Sequence, residues 1–244
     1  MIPEIPDLKN ITAVEKDILS GRVLTALGSS IPVPVSVQVK GFENTSNDEN
    51  GKFDLIVSNI PFGNFRVYDE TLRDENISGK IHNYFFAKGL DKIKAGGLLA
   101  YLTTDSFLNS PSNQKAREYL FTRADFISLN VMPDNLIKDT GNTEASSHLL
   151  MVQKNTGKKD LSHSEQLLLD TIVLNNEYGD YPVNRYVFNH PEIVLGDEIK
   201  PGKNQYGKAH ESIWQHGDIN VIGEKLGVTI SEGISRRFNK ERFA

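Results

Sequence analysis

The amino-acid sequence predicts an α/β fold on a mostly parallel sheet, and three observations carry that prediction. Between residues 11 and 155, short β-branched or apolar runs alternate with segments of helical periodicity. The connections between them are short. The last two strand-like runs follow each other without a clear helix between them, which predicts an antiparallel final strand.

The elements follow in order. Ile11–Val14 reads as a short buried strand ending at Glu15. Ile18, Leu19, Val23, Leu24 and Leu27 then fall at helical spacing, with Gly28 as a stop. Val33–Val39 alternates and is β-branched, with Pro34 near its start, so it reads as the second strand. Asn44–Lys52 is polar and predicts a loop. Phe53–Val57 is the third strand, with the character of one buried on both faces. Tyr68–Ser78 is charged and predicts a mobile loop. Asn83–Ile93 is helical in period, Gly96-Gly97 turns the chain, and Leu98–Thr103 is the fourth strand. A helix over about 113–121, a strand over 126–131, and a strand over 147–153 complete the pattern. After residue 155 periodicity fades, so residues 156–244 read as an appendage or linker on a domain spanning 1–155.

Composition narrows the functional classes. The 244-residue chain has no cysteine, which excludes disulfides and thiolate metal sites. Its six histidines, at 82, 148, 163, 190, 210 and 216, show no metal-ligand spacing. No apolar run reaches the roughly 18 residues of a membrane span, and the start lacks a secretory pattern, so a soluble cytoplasmic protein is expected. The net charge of −5 neither supports nor excludes a nucleic-acid partner. The one dense basic cluster, residues 236–242, reads as a solvated tail.

Residues 53–63, Phe-Asp-Leu-Ile-Val-Ser-Asn-Ile-Pro-Phe-Gly, are the most informative stretch. An apolar strand ends in an amide, a proline and an aromatic ring. That places an acceptor, a fixed bend and a flat surface at the carboxyl edge of a sheet, where open α/β folds bind ligands. Asn59 and the carbonyl of Ile60 could accept both protons of an exocyclic amine, Pro61 restricts the loop, and Phe62 could stack on a planar base. The same residues could equally form a surface turn in which Asn59 caps and Phe62 packs.

This stretch resembles the Asn-Pro-Pro-Tyr/Phe signature of S-adenosylmethionine-dependent amino-methyltransferases, above all the N6-adenine-specific DNA methyltransferases. Ile60 stands where that signature has its first proline, so the loop should be less rigid. The resemblance covers roughly residues 11–155 and implies a Rossmann-like methyltransferase sheet. It implies that S-adenosylmethionine is the cofactor, with Glu15 on its ribose hydroxyls and Phe42 beside its adenine. Glu43 is a displaced substitute for an acid that the family has at the position of Gly41. Asp105 and Ile137 would line the pocket of a flipped-out adenine in DNA. The family's first strand and glycine-rich loop have no counterpart before Ile11. The resemblance therefore implies an N-terminally truncated domain, partnered by an upstream chain or domain, like the methylase portions of large bacterial mobile-element proteins. Methylation of an RNA base or a protein glutamine, and a non-catalytic binding remnant, are the competing readings.

Overall fold

In the computed structural model, which describes residues 7–63, 65–136, 145–204 and 207–243, the β-branched runs Ile11–Glu15 and Val35–Val39 form parallel strands β1 and β2. Helix α1 (Ile18–Gly28) joins them, started by Asp17, whose carboxylate accepts the Ser20 N–H. These elements belong to one compact unit, residues 1–49; residues 50–244 form a second. In the first unit α1 packs closely on β2, with Gly21 against Val39. Ile18, Leu19, Val23 and Leu27 remain exposed.

The second unit is built on a four-stranded sheet. Its strands are β3 (Phe53–Asn59), β4 (Ile93–Thr104), β5 (Ala124–Met132) and β6 (Ser147–Lys154), in the order β3-β4-β6-β5. β3 and β4 are parallel, and β6 runs antiparallel to both β4 and β5, so only the last strand is reversed. Helices α2 (Glu75–Ser78) and α3 (Ile81–Lys92) lie between β3 and β4, and α4 (Ser106–Asn109) and α5 (Gln114–Phe121) between β4 and β5. The core gathers Ile60, Phe86, Leu90, Leu99, Tyr101, Phe107, Leu120, Phe126 and Leu150.

Two expectations are corrected here. β3 is not buried on both faces: Leu55 and Val57 are exposed, Val57 at 68%. Only the face carrying Ile56 and Ile60 meets the core, and among the described residues no strand is hydrogen-bonded to the edge of β3 away from β4. Gly96-Gly97 is not a turn but part of β4, beside a register shift between Phe53 and Leu55. A glycine is required at 96 because φ is +79° and the Arg242 carbonyl lies where a Cβ would sit.

Residues 156–244 are more structured than their composition suggests. They form α6 (His163–Leu169), hairpin strands β7 (Thr171–Asn176) and β8 (Gly179–Asn184), and α7 (Arg185–Asn189). Strands β9 (Glu198–Lys203) and β10 (Ala209–Trp214) follow, then α8 (Asn220–Arg237) and α9 (Lys240–Phe243). The boundary expected at residue 155 is not a division between compact units, because these elements pack on the sheet of residues 50–154. α8 approaches β5 so closely that Gly233 faces the Ile127 carbonyl. The basic tail is docked rather than solvated: Arg237 donates to the Ile127 carbonyl and lies over Phe126, and Arg242 pairs with Asp125. No helix among the described residues is long and apolar enough to cross a membrane.

Two core histidines give the fold a pH dependence. Burial pushes His148 down to about 3, and burial plus the nearby Lys80 cation pushes His82 down to about 4. Both are neutral in the fold and protonate near 6.5 once unfolded. The unfolded chain therefore binds more protons, and stability falls as pH drops below about 6.5. Between pH 7 and pH 5 the expected loss is on the order of 2 kcal/mol per histidine, read from urea midpoints. A midpoint that is flat over that interval contradicts it.

Candidate active site

The site is assembled where β3 runs out. Asn59 is the last residue of β3 and pairs across to Leu102 on β4. The Ile60 N–H donates to the Leu102 carbonyl at 2.9 Å, extending the β3–β4 ladder by one bond. A proline at 60 has no N–H and would forfeit it. The Ile60 side chain is 1% exposed in the core, an anchorage worth roughly 1.5–3 kcal/mol. Isoleucine thus restrains the loop from below, where the signature's proline would restrain it through φ.

Beyond that anchor the polar groups are open. Asn59 is exposed, and its carboxamide meets no hydrogen-bonding partner among the described residues. The Ile60 carbonyl likewise accepts no bond from them. Pro61 is exposed and Phe62 half-buried at the same edge. Two adjacent acceptors therefore stand without protein donors next to an aromatic ring.

The following segment supplies aromatics that the sequence reading did not single out. Phe65 is 52% and Tyr68 75% exposed. Gly63 makes room for the Phe65 ring, whose edge lies 2.6 Å from where a Cβ would stand. A period-based reading passes over them because they lie in neither helix nor strand. The segment is also not the free loop expected over Tyr68–Ser78. Asp69 is buried, and its carboxylate accepts from the Thr71 N–H and hydroxyl, from Tyr84 Oη at 2.6 Å, and from Lys88 Nζ at 2.7 Å. Burial pushes this carboxyl up, but the bonds from Lys88, Thr71 and Tyr84 outweigh it and hold it well below the usual carboxylate range.

The other candidate residues are distributed as follows. Asp105 follows β4 at the same edge of the second unit as Asn59, accepting from Asn109 at 3.3 Å, and burial raises its carboxyl. Glu15 ends β1 in the first unit, with one carboxylate oxygen accepting the Asp17 N–H at 2.7 Å and the other free of described partners. Phe42 and Glu43 lie in a short 3-10 turn after β2, half-buried, with Glu43 3.5 Å from Lys16. These three share the carboxyl edge of the β1–β2 sheet, since the Lys40 N–H donates to the Glu15 carbonyl. Ile137 lies outside the described residues. Among the described residues, no group of three or more His, Asp or Glu side chains is placed to hold a metal ion.

Comparisons with known proteins bear on the same region. Residues 26–135, which include Asn59–Phe62 and the segment after it, match the model of the Eco57I restriction-modification methylase family. The chain is 30% identical over 145 residues to the "Defense against restriction protein B" of Escherichia phage P1, covering 58% of this chain and 6% of that protein. The chain thus corresponds to a small part of that relative. Among solved structures, the type I restriction enzyme EcoKI M protein superposes with a TM-score of 0.49 at 10% identity, over 92% of this chain and 58% of its own. A S-adenosylmethionine-dependent methyltransferase from Methanosarcina mazei superposes with a TM-score of 0.40 at 10% identity, over 60% and 82%.

Proposed function

Because residues 26–135 match the restriction-modification methylase family, we propose that this chain is part of a DNA methyltransferase that modifies the N6 amine of adenine. The observation that carries the reading is the pair of unoccupied acceptors, Asn59 Oδ1 and the Ile60 carbonyl, beside Phe62 at the end of β3. An exocyclic amine is a poor nucleophile because its lone pair is delocalised into the ring. Two acceptors engaging both N–H bonds localise electron density on that nitrogen, and their fixed positions remove the cost of orienting them. Phe62 stacks on a base that has left the duplex, a contact worth about 1–3 kcal/mol against the cost of extrusion.

S-adenosylmethionine supplies the electrophilic methyl group when bound. The donor set of the first unit fits its ribose: Glu15 retains a free carboxylate oxygen at the edge of β1, and Phe42 offers a half-buried ring nearby. The open edge of β3 and the exposed Val57 support a further strand, supplied by an upstream segment or partner chain. A cytoplasmic location accords with DNA as the substrate.

The test is incubation of the protein with methyl-labelled S-adenosylmethionine and DNA, followed by mass spectrometry of the nucleosides. N6-methyladenine is the expected product; label on an RNA base or on protein glutamine instead sinks the reading. The open edge of β3 also favours a second reading, a methylase remnant that binds without catalysing. Calorimetry separates the two, since the remnant gives no heat with millimolar S-adenosylmethionine while remaining folded.

A further inference from the structure

A cavity of about 320 Å³ lies beside the segment that follows Phe62, lined by Arg66, Glu75, Asn76, Lys80, Asn83 and Ser112 among others. Lys80 dominates its chemistry. Its ammonium is half-buried and donates to Ser112 Oγ at 2.7 Å and Asn113 Oδ1 at 2.9 Å, both neutral acceptors. It has no carboxylate partner among the described residues. Burial and the nearby Arg117 guanidinium both push Lys80 downward, so the cation sits in an already positive surround that an anion would relieve. Glu75 is the one acid on the wall, and Arg66 holds it at 2.9 Å.

The backbone adds to the same field. α3 begins at Ile81 and α5 at Gln114, on either side of the cavity, and neither has a side-chain cap or an acid in its first turn. The cavity is on the Asn59 edge of the sheet. α3 ends beside the start of β3, where the Gly51 and Lys52 N–H groups donate to the Asp91 and Lys92 carbonyls, so its beginning faces the opposite, carboxyl end. Ser112 likewise follows shortly after the end of β4 at Thr104.

We propose that this cavity holds a backbone phosphodiester of the DNA strand whose base enters the Asn59 site, with Lys80 as the charged contact and Ser112 beside it. The inference rests on DNA being the substrate, and it names a phosphate-positioning residue outside the amine-binding loop.

Fluorescence anisotropy of a labelled oligonucleotide duplex, without cofactor and across a salt series, tests it. Lys80→Met should lower affinity about 5–10-fold at ~0.1 M salt and flatten the slope of log K against log salt by about 0.9, uniformly across sequences. Lys80→Gln keeps a donor for Ser112 and Asn113 but not the charge, and should behave like Lys80→Met. Lys80→Arg should restore the slope. Unchanged slopes in folded Lys80→Met, full rescue by Lys80→Gln, or absence of DNA binding at low salt each overturn the proposal. So does complete displacement of the duplex by inorganic phosphate at matched ionic strength, which would make free phosphate the ligand. Asn59→Ala should keep the wild-type slope, so failure here is distinguishable from failure of the adenine reading.

Discussion

Asn59→Ala is expected to lower methyl transfer by about two to three orders of magnitude while leaving DNA affinity and thermal stability essentially unchanged. The separation follows from where the residue sits. Its side chain is exposed and bonds to nothing described in the fold, so truncation removes no internal contact. On the proposed reading, what is lost is an acceptor for the amine whose nitrogen gains positive charge as the reaction proceeds. An interaction that strengthens only toward the transition state appears in kcat rather than in binding. Asn59→Asp retains an acceptor oxygen at that position and is expected to keep more of the rate than Asn59→Ala. Single-turnover transfer to a duplex, measured beside equilibrium binding, reads both quantities. Wild-type transfer by Asn59→Ala would remove the amine-binding role from this loop.

The contrast between Asn59 and its neighbour shows what a sequence discloses about such a site. The strand, the amide at its end and the bend after it are visible because an apolar run stops abruptly at an amide followed by a proline. What could not be read is how Ile60 is used. Its N–H to Leu102 and its buried side chain depend on β4, more than thirty residues later in sequence. The same limit explains residues 156–244. Their elements are short, and their burial comes from distant contacts. Asn184, for example, is fully buried because its amide donates to the Leu108, Leu168 and Asp170 carbonyls. A local reading finds an asparagine in a polar stretch and assigns a loop. The strands β1 to β6, by contrast, carry their signal in their own β-branched residues and were placed to within a few residues, apart from the start of β4.

Asp69→Ala is expected to be the most damaging substitution to stability, costing about 3–5 kcal/mol. Asp69 and Lys88 form an ion pair at 2.7 Å with both side chains almost wholly excluded from solvent. Removing the carboxylate leaves the ammonium buried without its counter-charge and takes the acceptor from Tyr84 as well. The cost therefore reports the stranded cation more than the worth of the pair. Replacing both partners, Asp69→Leu with Lys88→Met, should recover most of it, because an apolar pair has no such penalty. Acidity probes the same contact. The folded carboxyl titrates below its ordinary value of 3.8, so its contribution is present above that pH and is lost as pH falls further. The functional consequence follows from position, since Asp69 is what fastens the segment carrying Phe65 and Tyr68 to α3. With that fastening gone, transfer should fall through a raised KM for DNA, and the Leu/Met double variant should regain stability without regaining KM. Urea unfolding of the three variants decides it: a loss under about 1 kcal/mol in Asp69→Ala means the cation finds water and the segment is held by other contacts.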